Sequence, residues 1–285
     1  MASDTLTHSE PDAAAPVLER LERVVRGYGP TLTAFSGGVD STLVAVVAAR
    51  VHGPKALAVT GVSPSLAASE RREAAALAAG LGLLHREIRT DELERPGYRA
   101  NEGDRCYFCK SELFEALGAL ARAEGYAAVA SGDNLDDLGE HRPGLRAGEE
   151  QGVRRPLADA RLGKREVREL AGQLGLPNSD KPAAPCLASR VPHGTRVDAA
   201  VLARIERAEA GVRELGFAVF RVRHHGELAR IELPLEALPR AVELRAELLA
   251  AVRQAGYAWG ALDLAGFRSG SLNVVLVDGR PQSQG

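Results

Sequence analysis

The sequence predicts an α/β fold, a doubly wound parallel sheet with a second, smaller α+β domain. Two observations predict it. Short apolar runs at 31–35, 56–60, 83–88 and 127–131 alternate with helical patterns at 39–52, 66–81 and 111–124, which is the β-α-β-α order of a parallel sheet. Polar or glycine-bearing turns at 36–41, 60–65 and 131–137 each follow one of those strands. Ligands of open parallel sheets bind beyond the carboxyl ends of the strands, so the three turns point to one nucleotide site.

The elements follow in order. Leu18, Leu21 and Val25 mark an amphipathic first helix ending near Gly27, with apolar residues recurring at helical spacing. The alternating region runs over 16–177. A connecting stretch at 178–195, rich in proline and small residues, carries a cysteine. Beyond it, 196–278 reads as a helix at about 198–215, strands at 217–224 and 228–233, a helix at about 235–255, and strands near 258–264 and 272–277. Residues 1–15 and 279–285 read as disordered tails.

Composition narrows the function. Of 285 residues, 45% are hydrophobic and 26% charged, as in a soluble globular protein. Lysine and arginine number 36 against 38 acidic residues, a net charge of −2, so no overall basic field advertises nucleic acid. No stretch approaches the roughly 20 apolar residues that cross a bilayer. The first 15 residues lack a basic start and an apolar core, unlike a signal peptide. A cytoplasmic protein is expected. Three cysteines, Cys106, Cys109 and Cys186, are an odd number that argues for metal or redox chemistry over a disulfide framework.

Ser36-Gly37-Gly38-Val39-Asp40-Ser41 joins the first strand to an apolar helix. Such a unit aims backbone N–H groups and the positive helix end at one point, which suits a phosphate. The glycines let the backbone approach the anion. Ser36 and Ser41 add hydroxyls, and Asp40 is a candidate outer ligand for Mg2+. No lysine follows the glycines, so this is not the loop of a Walker-type kinase. It resembles the SGGxDS pyrophosphate loop of the ATP-pyrophosphatase superfamily, which implies ATP cleaved to AMP and pyrophosphate. Thr60 and Ser63 after the second strand, and Gly132, Asn134 and Asp136 in the Ser131–Asp137 turn, are the expected further walls of the ATP pocket.

Cys106-Tyr107-Phe108-Cys109 places two thiols three residues apart at a helix start, where thiol pKa values fall. The spacing alone allows zinc, a dithiol switch or an iron–sulfur cluster. In the last third, Arg221 and Arg223 alternate along a strand, which puts both guanidinium groups on one face and suits a phosphate or carboxylate.

Three stretches carry a more specific resemblance. Asp104–Lys110, Pro185–Thr195 (Pro-Cys-Leu-Ala-Ser-Arg-Val-Pro-His-Gly-Thr) and Leu262–Asn273 are similar to signatures of the LarE family, and the likeness spans about 16–278. LarE proteins are ATP-dependent sulfur transferases that adenylate a carboxylate of pyridinium-3,5-biscarboxylic acid mononucleotide and convert it to a thiocarboxylate, on the way to the nickel-pincer nucleotide cofactor. The resemblance implies that Cys186 is catalytic and that Ser189, Arg190, Arg221, Arg223 and Glu209 bind the substrate. Single-cysteine members sacrifice the matching cysteine as sulfur donor. The additional Cys106 and Cys109 imply instead a [4Fe-4S] cluster on Cys106, Cys109 and Cys186 that relays sulfur from sulfide or a cysteine-derived source. A small-molecule nucleotide substrate, a homo-oligomer, and neither nucleic-acid nor membrane partners are expected. The rival readings are sacrificial transfer from Cys186, a tRNA thiolase, and an amide-forming ligase of the NAD or asparagine synthetase type. A tRNA enzyme would want an extended basic surface, and an amidating ligase gives the cysteines no role.

Overall fold

A computed structural model describes residues 16–139, 143–182, 184–268, 276–277 and 280–281. The expected tail at 1–15 lies outside the described residues, as do 279 and 282–285 of the other tail and Ser269 to Asn273 of the last signature. In chain order the helices and strands are α1 (Val17–Tyr28), β1 (Thr31–Ala34), α2 (Val39–His52), β2 (Ala56–Val62), α3 (Ala68–Gly80), β3 (His85–Arg89), α4 (Pro96–Ala100), α5 (Arg105–Glu124) and β4 (Ala128–Ala130). There follow α6 (Pro143–Glu150), α7 (Pro156–Asp159), α8 (Lys164–Gln173), α9 (Ala199–Glu214), β5 (Arg221–His225), β6 (Leu228–Glu232), α10 (Leu238–Glu243), α11 (Arg245–Gln254), β7 (Trp259–Leu262), β8 (Leu276–Val277) and β9 (Arg280–Pro281).

These elements fall into two compact units. The first comprises residues up to Val62, then Ala68–Thr90 and Cys109–Ala184. Its sheet has the order β3-β2-β1-β4 and is parallel throughout. Sequence alternation explains why both faces are covered. Leu57 and Val59 of β2 pack with Leu32 of β1 against Phe114 and Leu117 of α5. Ala56 points the other way, into a core with Leu43 and Val47 of α2, Leu157 of α7 and Leu170 of α8. A strand buried on both faces reads as a continuous apolar run, and every residue of β1 is buried. Each large aliphatic side chain so buried contributes roughly 1.5–3 kcal/mol. The doubly wound parallel sheet is therefore present, with β1 central and its carboxyl end opening onto the Ser36–Ser41 loop.

The second unit comprises 63–67, 91–108 and the residues from Pro185 onward. Its sheet has the order β5-β6-β7, antiparallel between β5 and β6 and parallel between β6 and β7. Gly226 turns the β5–β6 hairpin at a positive φ of 61°, a conformation that glycine adopts without Cβ strain. Helix α9, capped by the Asp198 carboxylate accepting from Val201 N–H at 2.9 Å, packs through Ala208 and Val212 on a core that includes Val222, Ile231 and Val252.

Boundaries depart from expectation in three places. The strand expected at 217–224 begins at Arg221, because Phe217 and Phe220 are spent as core plugs ahead of it. The helix expected over about 235–255 is split into α10 and α11 at Leu244, whose φ of −90° and ψ of 24° leave the helical region. Helix α5 starts at Arg105, so Cys106 and Cys109 lie in its first turns.

Candidate active site

In the first unit, the Ser36–Ser41 loop is closed on itself before it meets any ligand. Ser41 Oγ lies 3.1 Å from Ser36 Oγ, accepts from Ser36 N–H at 3.2 Å and donates to the Gly38 carbonyl at 3.1 Å. Gly38 N–H donates to Ser36 Oγ at 3.3 Å. Thus the two serines fix the shape of the loop. Gly37 has φ +73°, and a Cβ there would sit 3.1 Å from Ala74 of α3, so backbone conformation and packing both demand glycine. Gly38 caps α2 in an extended conformation without a side-chain bond, and the first N–H groups of α2 have no intrahelical carbonyl to serve.

Two polar residues hold this loop from outside. Asn134, buried at 2% exposure, donates from Nδ2 to Asp40 Oδ1 at 3.0 Å. Asn178 donates from Nδ2 to the Gly37 carbonyl and to Thr42 Oγ1, both at 3.0 Å. Gly132 lets the Ser131–Asp137 turn approach closely, since a Cβ there would stand 2.7 Å from Ser41 N. Burial raises the Asp40 carboxyl above its ordinary pKa, the Asn134 hydrogen bond opposing and the Asp137 charge adding to it.

A cavity of about 250 Å3 opens on the loop, lined by Ser36, Gly38, Val39, Asp40, Glu70, Lys164, Arg168, Lys181, Pro182 and Ala184. Three cations therefore line the same cavity as the glycine turn. Lys181 Nζ donates to Glu70 Oε2 at 2.8 Å and Glu73 Oε2 at 2.9 Å. Burial depresses its ammonium most, but the two glutamates together outweigh this and hold it charged. Arg168 Nη1 donates to the Ser179 carbonyl at 2.9 Å, and Lys164 Nζ stands 3.6 Å from Asp137. Cations on this scale can neutralise a polyphosphate, for which the loop itself carries no positive charge.

Other expected ATP residues take up structural work. Thr60 Oγ1 is buried, donating to the Phe35 carbonyl and lying 2.9 Å from His85 Nε2. Asp136 Oδ2 accepts from Lys164 N–H at 2.7 Å, capping α8 and so setting Lys164 at the cavity. Ser63 belongs to the second unit, where its hydroxyl meets Ser65 at 2.9 Å and donates to Glu92.

In the second unit, Cys186 is exposed and caps a short 3-10 turn, Leu187–Arg190. Arg190 wraps that turn. Its Nη1 donates to the carbonyls of Pro185 (2.6 Å) and Cys186 (3.0 Å) and to Ser189 Oγ (3.0 Å). Its Nε and Nη2 form a bidentate pair with Glu209 at 2.8 and 3.0 Å, and Glu209 also accepts from Val222 N–H at 3.1 Å. Arg223 pairs with Glu232 through Nε at 2.9 Å and donates from Nη1 to the Ser189 carbonyl at 2.9 Å. Arg190 and Arg223 therefore spend their guanidinium groups on buried carboxylates. Arg221 differs: it bonds the Phe220 carbonyl at 2.7 Å and lies over the Phe267 ring at 5.3 Å. Its pKa is lowered by burial first and then by the Arg190 charge, a strain that a bound anion would relieve.

Cys106 is exposed and Cys109 half-buried, one helical turn apart on α5. Among the described residues no group of three or more His, Cys, Asp or Glu side chains gathers to hold a metal ion. The thiols suit an iron–sulfur cluster by their chemistry. Sequence reasoning did not find Lys164, Arg168, Lys181, Asn178 or Glu232. Each lies outside a glycine motif, and lysines and arginines in helical stretches read by default as solvated surface.

The sheet, the glycine loop at the end of its central strand and the basic cavity over it define an ATP-utilising enzyme of the pyrophosphate-loop type. In keeping with that class, residues 17–96 match the asparagine synthase family. The chain belongs to the LarE family: it is 37% identical over 244 residues to the pyridinium-3,5-bisthiocarboxylic acid mononucleotide synthase of Lactiplantibacillus plantarum, covering 85% of this chain and 88% of that protein. An uncharacterized protein of Synechocystis is 47% identical over 91% of this chain and 97% of its own length. An uncharacterized protein of Methanocaldococcus jannaschii is 29% identical over 84% and 90%.

Proposed function

We propose that this chain is an ATP-dependent sulfurtransferase that turns a carboxylate of pyridinium-3,5-biscarboxylic acid mononucleotide into a thiocarboxylate. The observation that carries the reading is the cavity in which Lys164, Arg168 and Lys181 face the Ser36–Ser41 loop. The identity to the Lactiplantibacillus enzyme supports the choice of substrate.

In the first half-reaction a carboxylate oxygen of the substrate bonds to the α-phosphorus of ATP, and the bond from that phosphorus to the β-bridging oxygen breaks. Pyrophosphate leaves with the electron pair. Negative charge builds on the β- and γ-phosphates, where the three cations and the first N–H groups of α2 stabilise it. A magnesium ion bound with ATP would supply further positive charge at the phosphates and would draw most of its ligands from phosphate and water. Asp40 and Glu70 are the carboxylates lining the cavity that would meet it.

In the second half-reaction a sulfur nucleophile at Cys186 adds to the acyl-adenylate carbonyl, and AMP departs with the electrons of the acyl–oxygen bond. Where the sulfur is that of Cys186 itself, a base takes its α-proton and the Cβ–S bond breaks, leaving dehydroalanine and the thiocarboxylate. The test separates the halves. Cys186→Ser is expected to retain pyrophosphate exchange into ATP and to lose thiocarboxylate formation. Loss of both activities, or of neither, would overturn the assignment of Cys186.

A second reading rests on one observation, the presence of Cys106 and Cys109 beside Cys186 in the chain. Here the three thiols hold a [4Fe-4S] cluster, which supplies sulfur through an open iron. Anaerobic visible spectroscopy with iron and sulfide analysis tests it. An absorption band near ~400 nm that disappears in Cys106→Ala supports the cluster, and a colourless, iron-free protein excludes it.

A further inference from the structure

Within the second unit, one buried side chain ties together the two segments that carry exposed thiols. Asn101 follows α4 in the left-handed conformation, with φ 58° and ψ 43°. It is fully buried, at 0% exposure. Its Nδ2 donates to the carbonyls of Pro192 and Thr195, at 2.8 and 3.0 Å. Its Oδ1 accepts from Nη1 of Arg105, itself buried and the first residue of α5. Both amide hydrogens and the amide oxygen are thus engaged.

Backbone bonds run in parallel. Gly194 N–H donates to the Asn101 carbonyl at 2.9 Å, and Val197 N–H donates to the Arg99 carbonyl at 3.0 Å. On the other side, the Phe108 ring covers Gly97 of α4 so closely that a Cβ on Gly97 would fall 2.1 Å from it. The start of α5 and the segment after Cys186 are therefore both docked on α4, with Asn101 between them. Cys106 adjoins Arg105, and Cys186 opens the run that leads to Pro192.

A buried asparagine costs free energy unless every bond is made, and here each of its three side-chain hydrogen-bonding positions is used. What the wiring adds is register: it fixes where Cys106 stands relative to the Cys186 segment. We propose that Asn101 is the positioning residue of the sulfur-delivering half of the site, holding the Cys106 end of α5 and the Cys186 segment in one arrangement. The inference rests on the proposed sulfurtransferase reading and deepens it. Displacing a reacting group by about 1 Å costs on the order of a hundredfold in rate, so sulfur delivery should depend on Asn101 while ATP cleavage does not.

Asn101→Gly is the test, because glycine keeps the left-handed backbone while deleting all three side-chain bonds. Asn101→Asp is the second variant, which keeps an acceptor for Arg105 and loses both donors. Two measurements are made on the full chain: pyrophosphate exchange into ATP with the substrate carboxylate, and thiocarboxylate formed. A third readout, independent of activity, is the yield of a Cys106–Cys186 cross-linked peptide after treatment with a short bis-maleimide. The expected result is exchange unchanged, thiocarboxylate formation down roughly tenfold to a hundredfold, and the cross-link lost. Equal loss of both half-reactions in both variants, or no loss of thiocarboxylate formation, would overturn the inference. If the unsubstituted enzyme exchanges no pyrophosphate, the functional reading fails instead. The cross-link then decides the positioning role alone, and an unchanged yield in Asn101→Gly overturns it.

Discussion

Asp40 shows how a single residue can be costly to the fold and, on the proposed reading, valuable to the reaction. Its carboxyl is partly buried, and burial raises its pKa. A carboxyl whose folded pKa exceeds its unfolded value binds its proton more tightly when folded. Its ionisation therefore removes stability as pH rises through the unfolded and then the folded pKa. At neutral pH the ionised Asp40 should be a net cost, offset only in part by the Asn134 amide. Asp40→Asn, which retains an oxygen to accept from Asn134, is expected to raise the melting temperature at pH 7 and to slow pyrophosphate release. The stability gain should shrink as the pH approaches about 3.9, where an unfolded aspartate is itself half-protonated. Thermal unfolding across pH checks this, and a lower melting temperature at pH 7 would contradict it.

At the scale of elements, Arg190 joins three of them. It encircles the 3-10 turn after Cys186, pairs with Glu209 of α9, and through Glu209 reaches the Val222 N–H of β5. Both partners of the ion pair have side chains only 6% exposed. Removing one charge of a buried pair strands the other, at about 3–5 kcal/mol. Arg190→Met should therefore destabilise the fold by that amount in urea titration, and Arg190→Met with Glu209→Gln should recover much of it. A single variant as stable as the parent would show that water reaches the pair. The same accounting bears on the expected anion site. Arg221 is the member of the trio that makes no ion pair with a carboxylate in the described structure, so an arriving phosphate or carboxylate would meet it first.

For the whole molecule, the parallel sheet and the glycine loop could be read directly from the sequence. β2 opens on the apolar run Ala56–Val59, β1 alternates buried threonines with Leu32 and Ala34, and Gly37 and Gly38 sit where a turn onto a helix fits. The cysteine pair at the start of α5 was equally visible. The basic wall of the cavity was not, because Lys164 and Arg168 lie on a helix whose other face is apolar, and Lys181 sits in a proline-bearing loop. Only the tertiary fold turns them toward the glycine loop. Nor did the sequence suggest that 63–67 and 91–108 group with the C-terminal residues. Those short segments are held by polar bonds, such as Leu187 N–H to the Ser65 carbonyl at 2.9 Å, and polar bonds leave no periodic pattern. Among the described residues no helix is long and apolar enough to cross a membrane.

The central claim is that the Ser36–Ser41 loop holds ATP so that pyrophosphate, not inorganic phosphate, is the first product. Phosphorus NMR of the nucleotide products, with the pyridinium dicarboxylate nucleotide as acceptor and a thiol or sulfide present, measures this directly. AMP and pyrophosphate forming in equal amounts, and only with the acceptor present, is the predicted result. ADP with inorganic phosphate, or ATP left intact, would contradict it.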